Sequence, residues 1–507
     1  SVDTAPNREK LSFIGDLDHD IVSLQGPPGT GKTRFAMAPA LLARIAGSQR
    51  AGTNLNAMVA TVSHKAADEA LQGLLSFQES LTAEDIAPRV RFVRVSPTPV
   101  RRDDDAGEVI AYHSDPPDVL EDVWASIQDP TDPRAVILLG PPSSIRGFLK
   151  EMIADEMDYA MVDGSTEIFD LVFIDEASMM GLPMGLMCAS FLRSGGQLAL
   201  IGDHRQLGPI QIKDWSTEDR VTIEEHTPFL SVLDFIRFVR GDTVDVPYIR
   251  TDPPEYEDPE AIAPIHRLQD TYRLPSEAAR MHTDLFYRRD GIELTSQSES
   301  SVIPFDDPAL HSSARVTLIV HDEGRSQKQN PLEAALVRHI IRHADLAGER
   351  TEEGLESRVG VVVPFRAQRR LIQQQYDLQE VTVDTVERFQ GGERELVILS
   401  MTASDRGYIT QVAEFLLDAN RLNVAASRMQ RKLVVIAAAA IFEESDDDVD
   451  EFRRHRPWID LLESMGGIVA PDEWTRAATV IDADLLDGEL GDANLSIRHG
   501  YDPDRDP

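Results

Sequence analysis

Residues 21–33 read Ile-Val-Ser-Leu-Gln-Gly-Pro-Pro-Gly-Thr-Gly-Lys-Thr, an apolar run joined to a glycine-rich turn that closes on Lys32 and Thr33. The segment Gly26–Thr33 has the spacing G-x-x-x-x-G-K-T. It follows a strand candidate, Asp20–Gln25, and opens a helical stretch, Lys32–Ile45, which is the context this motif needs. Its glycines let backbone N–H groups turn inward around phosphate oxygens, Lys32 can reach the β- and γ-phosphates, and the Thr33 hydroxyl can ligate Mg²⁺.

Outward from this loop, short apolar runs bounded by Gly, Pro and polar turns predict strands at Ala57–Val62, Val90–Val95, Ala135–Leu139, Asp170–Ile174 and Gln197–Ile201. A second series follows at Arg315–Val320, Arg358–Val363, Glu380–Val383, Glu395–Met401 and Lys432–Ile436. Helix-period stretches alternate with both series, among them His64–Leu75, Pro331–Ala344 and Ala367–Gln375. That alternation predicts an α/β chain with two parallel sheets, each covered by helices on both faces.

Phe169–Ser178 (FDLVFIDEAS) is an apolar strand that ends in two adjacent carboxylates. Downstream of a phosphate loop, Asp175 is placed to hold Mg²⁺ and Glu176 to act as general base toward an attacking water.

Length and composition set the limits around these motifs. At 507 residues the chain exceeds what one hydrophobic core organises, and 42% hydrophobic with 27% charged residues supplies ample material for packed cores. The balance of 50 basic to 87 acidic side chains, net −37, excludes a protein that coats nucleic acid through bulk positive charge, so any such contact must be local. Only seven basic residues are lysines, and a surface of Arg with Asp and Glu suits a high-salt cytoplasm or a GC-rich genome. None of those lysines has Asp or Glu two positions before it, so the acid-x-Lys element of a common Mg²⁺ nuclease core is missing. The single cysteine, Cys188, lies in the apolar run MGLMCAS and reads as a core residue; intrachain disulfides are excluded. No stretch approaches a membrane span, and a cytoplasmic, prokaryotic-like protein is expected.

The ordered set GPPGTGKT, VFIDEAS, GDHRQLGPI (202–210), TYRLP (271–275), VGVVVPFRAQ (359–368), DTVERFQGGERELVILS (384–400) and RLNVAASR (421–428) resembles superfamily 1 helicases. Within them it is most similar to superfamily 1B, the type of the nonsense-mediated-decay helicase and senataxin. The resemblance implies two tandem RecA-like P-loop domains that bind ATP with Mg²⁺, hydrolyse it, and move 5′ to 3′ along single-stranded DNA or RNA. It implies a nucleotide-binding set of Gln25, Gly26, Gly29, Thr30, Gly31, Lys32, Thr33, Arg34 and Glu393, with Glu393 on the ribose. It also implies that Gln206 senses the γ-phosphate and that Arg273 and Arg428 reach it from the second domain. For the strand it implies Ser63, His64, Lys65, Ser143, Ser144, Pro364, Phe365 and Thr385. Ser63 also reads as a helix N-cap. A rival from the residues alone is an ATP-gated nucleic-acid clamp or adaptor without processive unwinding.

The expected organisation is a first domain over residues 1–215 with an excursion at about 96–134, a Pro- and acid-rich linker at 216–264, a second domain over 265–470 and a loosely held acidic tail at 471–507. Protein partners are expected on the acidic insertions or on domains missing upstream of this chain.

Overall fold

A computed structural model describes residues 8–16, 19–99, 107–129, 131–153, 167–210, 228–244, 253–310, 313–346, 358–374, 381–389, 392–443, 449–465, 475–486 and 488–502. The chain divides into two compact units, one comprising residues 1–27 and 31–268, the other 28–30 and 269–507.

The first unit is built on an eight-stranded sheet. Its strands are β1 (Ile21–Gln25), β2 (Ala57–Ala60), β3 (Val90–Ser96), β4 (Glu108–Ala111), β5 (Ala135–Gly140), β6 (Phe169–Ile174), β7 (Leu192–Gly202) and β8 (Ile265–Arg267). They lie in the order β4-β3-β5-β2-β6-β7-β1-β8, and every pairing is parallel. Met58, Val172, Ile174 and Leu200 enter one core, while Val59, Leu171, Phe173 and Ile201 enter another. Alternate residues of the same strands thus feed two cores, because a parallel sheet is apolar on both faces.

The second unit carries β9 (Asp270–Thr271) and β10 (Thr295–Ser296) as a small parallel pair. Its main sheet contains β11 (Val316–His321), β12 (Val359–Val363), β13 (Thr382–Thr385), β14 (Arg394–Ser400), β15 (Met429–Ala438), β16 (Thr475–Arg476) and β17 (Asn494–His499). The order is β13-β12-β14-β15-β11-β17-β16, with β11 to β15 parallel and β16 and β17 antiparallel additions at one edge. Each of the eleven strands expected from the sequence has its counterpart, displaced by a few residues at the ends; Glu380 lies outside the described residues.

Three boundaries differ from the sequence reading. The expected excursion at 96–134 supplies β4 and a helix, Pro117–Gln128, whose Leu120, Val123 and Ile127 enter the first core at helical spacing. Its acidic and Pro-rich flanks had masked a short apolar strand and an i, i+3, i+7 face. Ile265–Arg267, expected to open the second domain, is the edge strand β8 of the first sheet. In the expected linker, Val232–Val239 is a helix capped by Ser231, whose hydroxyl accepts from the Asp234 amide; residues 216–227 and 245–252 lie outside the described part.

The expected tail is also more ordered than its composition implies. Within residues 475–486 and 488–502, β17 pairs with β11 in register Ile319 to Ile497, and Leu495 and Ile497 enter the second unit's core. A polar-flanked strand that adds antiparallel to a sheet edge shows little hydrophobic run of its own, so its partner decides it. Among the described residues no helix is long and apolar enough to cross a membrane. Cys188 is buried, and burial pushes its thiol up to about 12, as a core residue requires.

Leu495, 1% exposed, tests whether this segment belongs to the fold. Leu495→Ala is expected to destabilise the second unit by about 2–5 kcal/mol, the usual range for a buried large-to-small change. Urea unfolding monitored by far-UV circular dichroism measures it; an unchanged midpoint contradicts the assignment.

Candidate functional site

The phosphate-loop motif leaves β1 at its C-terminal end and enters a π-helical turn, Lys32–Met37, that runs into the helix Ala38–Arg50. Gly31 holds φ at 75°, a left-handed conformation open to glycine, and a Cβ there would lie 2.4 Å from the Phe35 ring. Lys32 Nζ donates to the Gly26 carbonyl at 2.8 Å, so the ammonium is folded onto its own loop. Arg34 is exposed, with its guanidinium over the Phe35 ring, and Gln25 is buried at the end of β1. Pro28–Thr30 group with the second unit, where Thr271 Oγ1 donates to the Pro28 carbonyl at 2.9 Å and the Tyr272 amide to the Gly29 carbonyl at 2.9 Å. Thr271 was not singled out in the sequence, although it adjoins the TYRLP arginine.

Asp175 and Glu176 follow β6, and Asp203 and Gln206 follow β7, which lies between β6 and β1. The three loops therefore leave the same edge of the sheet side by side, where open α/β sheets hold ligands. Thr33 Oγ1 donates to Asp175 Oδ2 at 2.9 Å, the Glu176 amide donates to Asp175 Oδ1 at 3.0 Å, and Gln206 Nε2 donates to Asp203 Oδ2 at 2.9 Å. Burial, reinforced by the neighbouring Glu176 charge, pushes the Asp175 carboxyl up to about 6 against the opposing pull of Thr33 and Lys32.

Glu176 occupies a left-handed backbone conformation, φ 52°, unfavourable for a residue with a Cβ. Its Oε2 is buried and finds no hydrogen-bond partner. A buried carboxylate with a raised pKa, a hydroxyl bonded to it and an unsatisfied acidic oxygen beside it form an oxygen donor set that fits Mg²⁺.

The first-unit residues expected to contact a strand share this edge. Ser63 Oγ accepts from the Ala66 amide at 3.1 Å, which makes it the N-cap of the helix His64–Ala83 beyond β2. Lys65 is exposed, 3.7 Å from Glu69. The His64 carbonyl accepts from Arg94, and burial, helped by the Arg94 charge, pushes the His64 ring below its ordinary pKa. Ser143 and Ser144 lie in the first turn of the helix Pro142–Met152 beyond β5, the neighbour of β2; Ser143 is exposed and Ser144 buried.

In the second unit the residues separate to opposite edges. Glu393 and Arg428 immediately precede the neighbouring parallel strands β14 and β15, and the Arg394 amide donates to the Arg428 carbonyl at 2.9 Å. Arg273 is paired with Glu393 and donates to the Ser427 carbonyl at 3.2 Å, while Gln430 donates to Glu393 at 3.0 Å. Arg428 is buried, and its Nε donates to the Val424 carbonyl. Although burial acts upward, Arg273, Gln430 and Arg428 hold the Glu393 carboxyl below its ordinary range. The structure thus brings Arg273, Glu393 and Arg428 together, and Gln430 is a member that the motif reading missed. Pro364 and Phe365 follow β12 and Thr385 ends β13, at the opposite, C-terminal edge; the Phe365 ring lies 6.0 Å from Tyr408 and 5.8 Å from Phe415.

Comparison with known proteins adds to this geometry. Residues 10–211 match one family described as an AAA domain, and residues 258–440 match a second family of the same description. The chain is similar to the "DNA replication ATP-dependent helicase/nuclease JHS1" of Arabidopsis thaliana, with 25% identity over 52% of this chain and 18% of that protein. It is 26% identical to the "DNA polymerase alpha-associated DNA helicase A" of Schizosaccharomyces pombe over 58% of this chain and 40% of that one. It is 24% identical to the "Regulator of nonsense transcripts 1 homolog" of Drosophila melanogaster over 51% of this chain and 20% of that one. The matched region spans less than half the length of each relative.

The raised pKa of Asp175 has a measurable sign. The folded chain keeps this proton at pH values where the unfolded chain has lost it, so the penalty for burying the charge is absent below about pH 4 and complete above about pH 6. With metal chelated, Asp175→Asn is expected to be more stable than the unaltered chain by on the order of 1–3 kcal/mol at pH 7.5, the gap closing toward pH 4. Urea titrations at the two pH values measure it, and a gap independent of pH rejects it.

Proposed function

Since this chain belongs to the superfamily 1 helicases of the nonsense-mediated-decay-helicase and senataxin type, we propose that it hydrolyses ATP to move 5′ to 3′ along single-stranded DNA or RNA. The observation that carries the reading is the row of loops after β1, β7 and β6, with Thr33 bonded to Asp175 and the Glu176 carboxylate beside them.

On this reading Lys32 exchanges the Gly26 carbonyl for the β- and γ-phosphates, and the loop amides take the remaining phosphate oxygens. Thr33 and Asp175 would hold Mg²⁺, which would offset negative charge on the nucleotide's phosphates. The Glu176 carboxylate orients the attacking water and takes its proton. Gln206, held by Asp203, reports the γ-phosphate to the neighbouring loops. Arg273 and Arg428 stabilise the charge that spreads over the transferring phosphoryl group. Glu393 takes the ribose hydroxyls, and because Arg273 and Glu393 are paired with each other, using both on one nucleotide requires that ion pair to part.

Ser63, His64, Lys65, Ser143 and Ser144 in the first unit, and Pro364, Phe365 and Thr385 in the second, hold the strand by backbone contacts and ring stacking, which need no bulk positive charge. A set of hydroxyls with one imidazole, one ammonium and one ring near strand ends supports a sequence-tolerant grip. The names of the relatives cover both DNA replication and nonsense transcripts, and DNA and RNA both remain substrates of this proposal.

ATP turnover measured with matched DNA and RNA single strands, at several salt concentrations, tests the motor. Turnover is expected to rise at least about tenfold with the preferred strand, and Glu176→Gln to lower kcat by about 10²–10⁴-fold while ATP and strand binding persist. Arg428→Ala is expected to lower kcat by at least about 10²-fold with smaller effect on ATP affinity. Active enzyme indifferent to any strand defeats the motor, and strand affinity that follows ATP analogues without directional movement makes the chain a clamp instead.

A further inference from the structure

A group of metal-ligating side chains lies away from every motif discussed above, within the second unit. Asp307, His339 and His343 each present one donor atom, and these three atoms lie within 4.8 Å of one another. His339 and His343 stand four residues apart on the helix Pro331–His343, so both rings leave the same helix face, with centroids 4.4 Å apart. This i, i+4 pair is the arrangement that places two imidazoles on one metal ion.

Each donor is oriented by a second contact. Asp307 Oδ1 accepts from the Ala309 and Leu310 amides at 2.8 and 3.0 Å, which leaves Oδ2 for His339 Nε2, 3.1 Å away. His343 Nδ1 lies 2.9 Å from the Asp306 carbonyl; a carbonyl only accepts, so Nδ1 carries the proton and Nε2 is the free donor. That Nε2 faces Asp482 Oδ1 at 3.5 Å. A metal ion on Nε2 would take the place of the proton that otherwise bridges it to Asp482, whose carboxylate also pairs with Arg342 at 3.2 Å. Backbone pairing of Phe305 with Ala344, and of the Asp306 amide with the His343 carbonyl, fixes the loop against the end of the helix.

We propose that Asp307, His339 and His343 form a structural site for a divalent transition-metal ion, with Zn²⁺ the best match, bordered on its fourth side by Asp482. Two imidazoles and carboxylates are ligands that zinc accepts in tetrahedral geometry. Bonds of about 2.0–2.1 Å set neighbouring tetrahedral ligands about 3.3–3.4 Å apart, close to the 3.1 Å and 3.5 Å separations here. Drawing the three donors onto one ion asks for a movement of at most about 1.5 Å.

Proton balance is simple. Metal on His339 Nε2 moves the ring's one proton from Nε2 to Nδ1, which then donates to the Asp482 carboxylate, 3.7 Å away, in place of the bond that Nδ1 accepts from the Asp482 amide at 3.3 Å. The ion joins three separate parts of the chain: the loop at residue 307, the helix ending at His343, and the segment around Asp482 that leads into β17.

The test uses tag-free full chain, stripped with chelator, and Co²⁺ as a visible probe. One equivalent is expected to produce the intense visible absorption of a tetrahedral centre and to be displaced by Zn²⁺, and Zn²⁺ is expected to raise the melting temperature. His343→Ala and Asp307→Asn, both at partly exposed positions, are each expected to weaken Co²⁺ binding at least about tenfold, whereas Asp175→Asn keeps the absorption. Absence of the absorption in the unaltered chain, its persistence in His343→Ala, or its loss in Asp175→Asn overturns the proposal. A melting temperature lowered by His343→Ala but indifferent to Zn²⁺ also overturns it, by making the cluster an ion-pair network.

Discussion

The carboxylate of Asp175 is the constraint on which the candidate nucleotide site depends. It sits at the end of β6 with its neighbours closing it from water, hydrogen-bonded there by the Thr33 hydroxyl and the Glu176 amide. Such a group is stable only with a proton or a nearby cation. The Lys32 ammonium is close enough to act on it but is committed to the Gly26 carbonyl. The site is therefore electrostatically poised for the charges that a nucleotide with its metal brings.

What gathers the loops is the direction of the strands. In a sheet whose every pairing is parallel, all strands end at one edge, and the helices that follow turn their N-terminal amides toward it. The loops after β1, β7 and β6 carry the phosphate and acid motifs, and those after β2 and β5 carry the proposed strand contacts. In the second unit the same geometry divides the labour differently. Glu393 and Arg428 lie where β14 and β15 begin, whereas Phe365 and Thr385 lie where β12 and β13 end. One sheet thereby presents the charged cluster of Arg273, Glu393 and Arg428 at one edge and Phe365 with Thr385 at the other.

The helix Pro331–His343 is held to its sheet by buried polar bonds as well as apolar packing. Glu333 is fully buried, with Oε1 on the His321 ring and Oε2 accepting from Ser400 Oγ and the Thr402 amide. Asn330 caps the same helix and donates to the Thr402 carbonyl at 3.1 Å. Every one of these groups loses solvent on folding, so each must find its partner for the helix to dock. Thr402 adopts φ 69°, a backbone cost accepted where the network over-determines the position. Nothing in the run NPLEAALVRHIIRH distinguishes Glu333 from a surface acid, because its partners are 12 to 69 residues away.

Local pattern was sufficient for much of this protein. Gly26–Thr33 and Phe169–Ser178 announce their chemistry because a phosphate loop and a strand-end acid pair are built from consecutive residues, and most of the eleven expected strands are legible because burial on both faces leaves an apolar run. Tertiary structure alone decided the rest. The strands β4, β8 and β17 have runs too short or too polar to stand out, and exist because a sheet edge offers them hydrogen bonds. The pairing of Arg273 with Glu393 and the meeting of Asp307 with His339 join residues 120 and 32 positions apart, and no spacing along a chain encodes which distant side chains a fold will bring within a few ångströms.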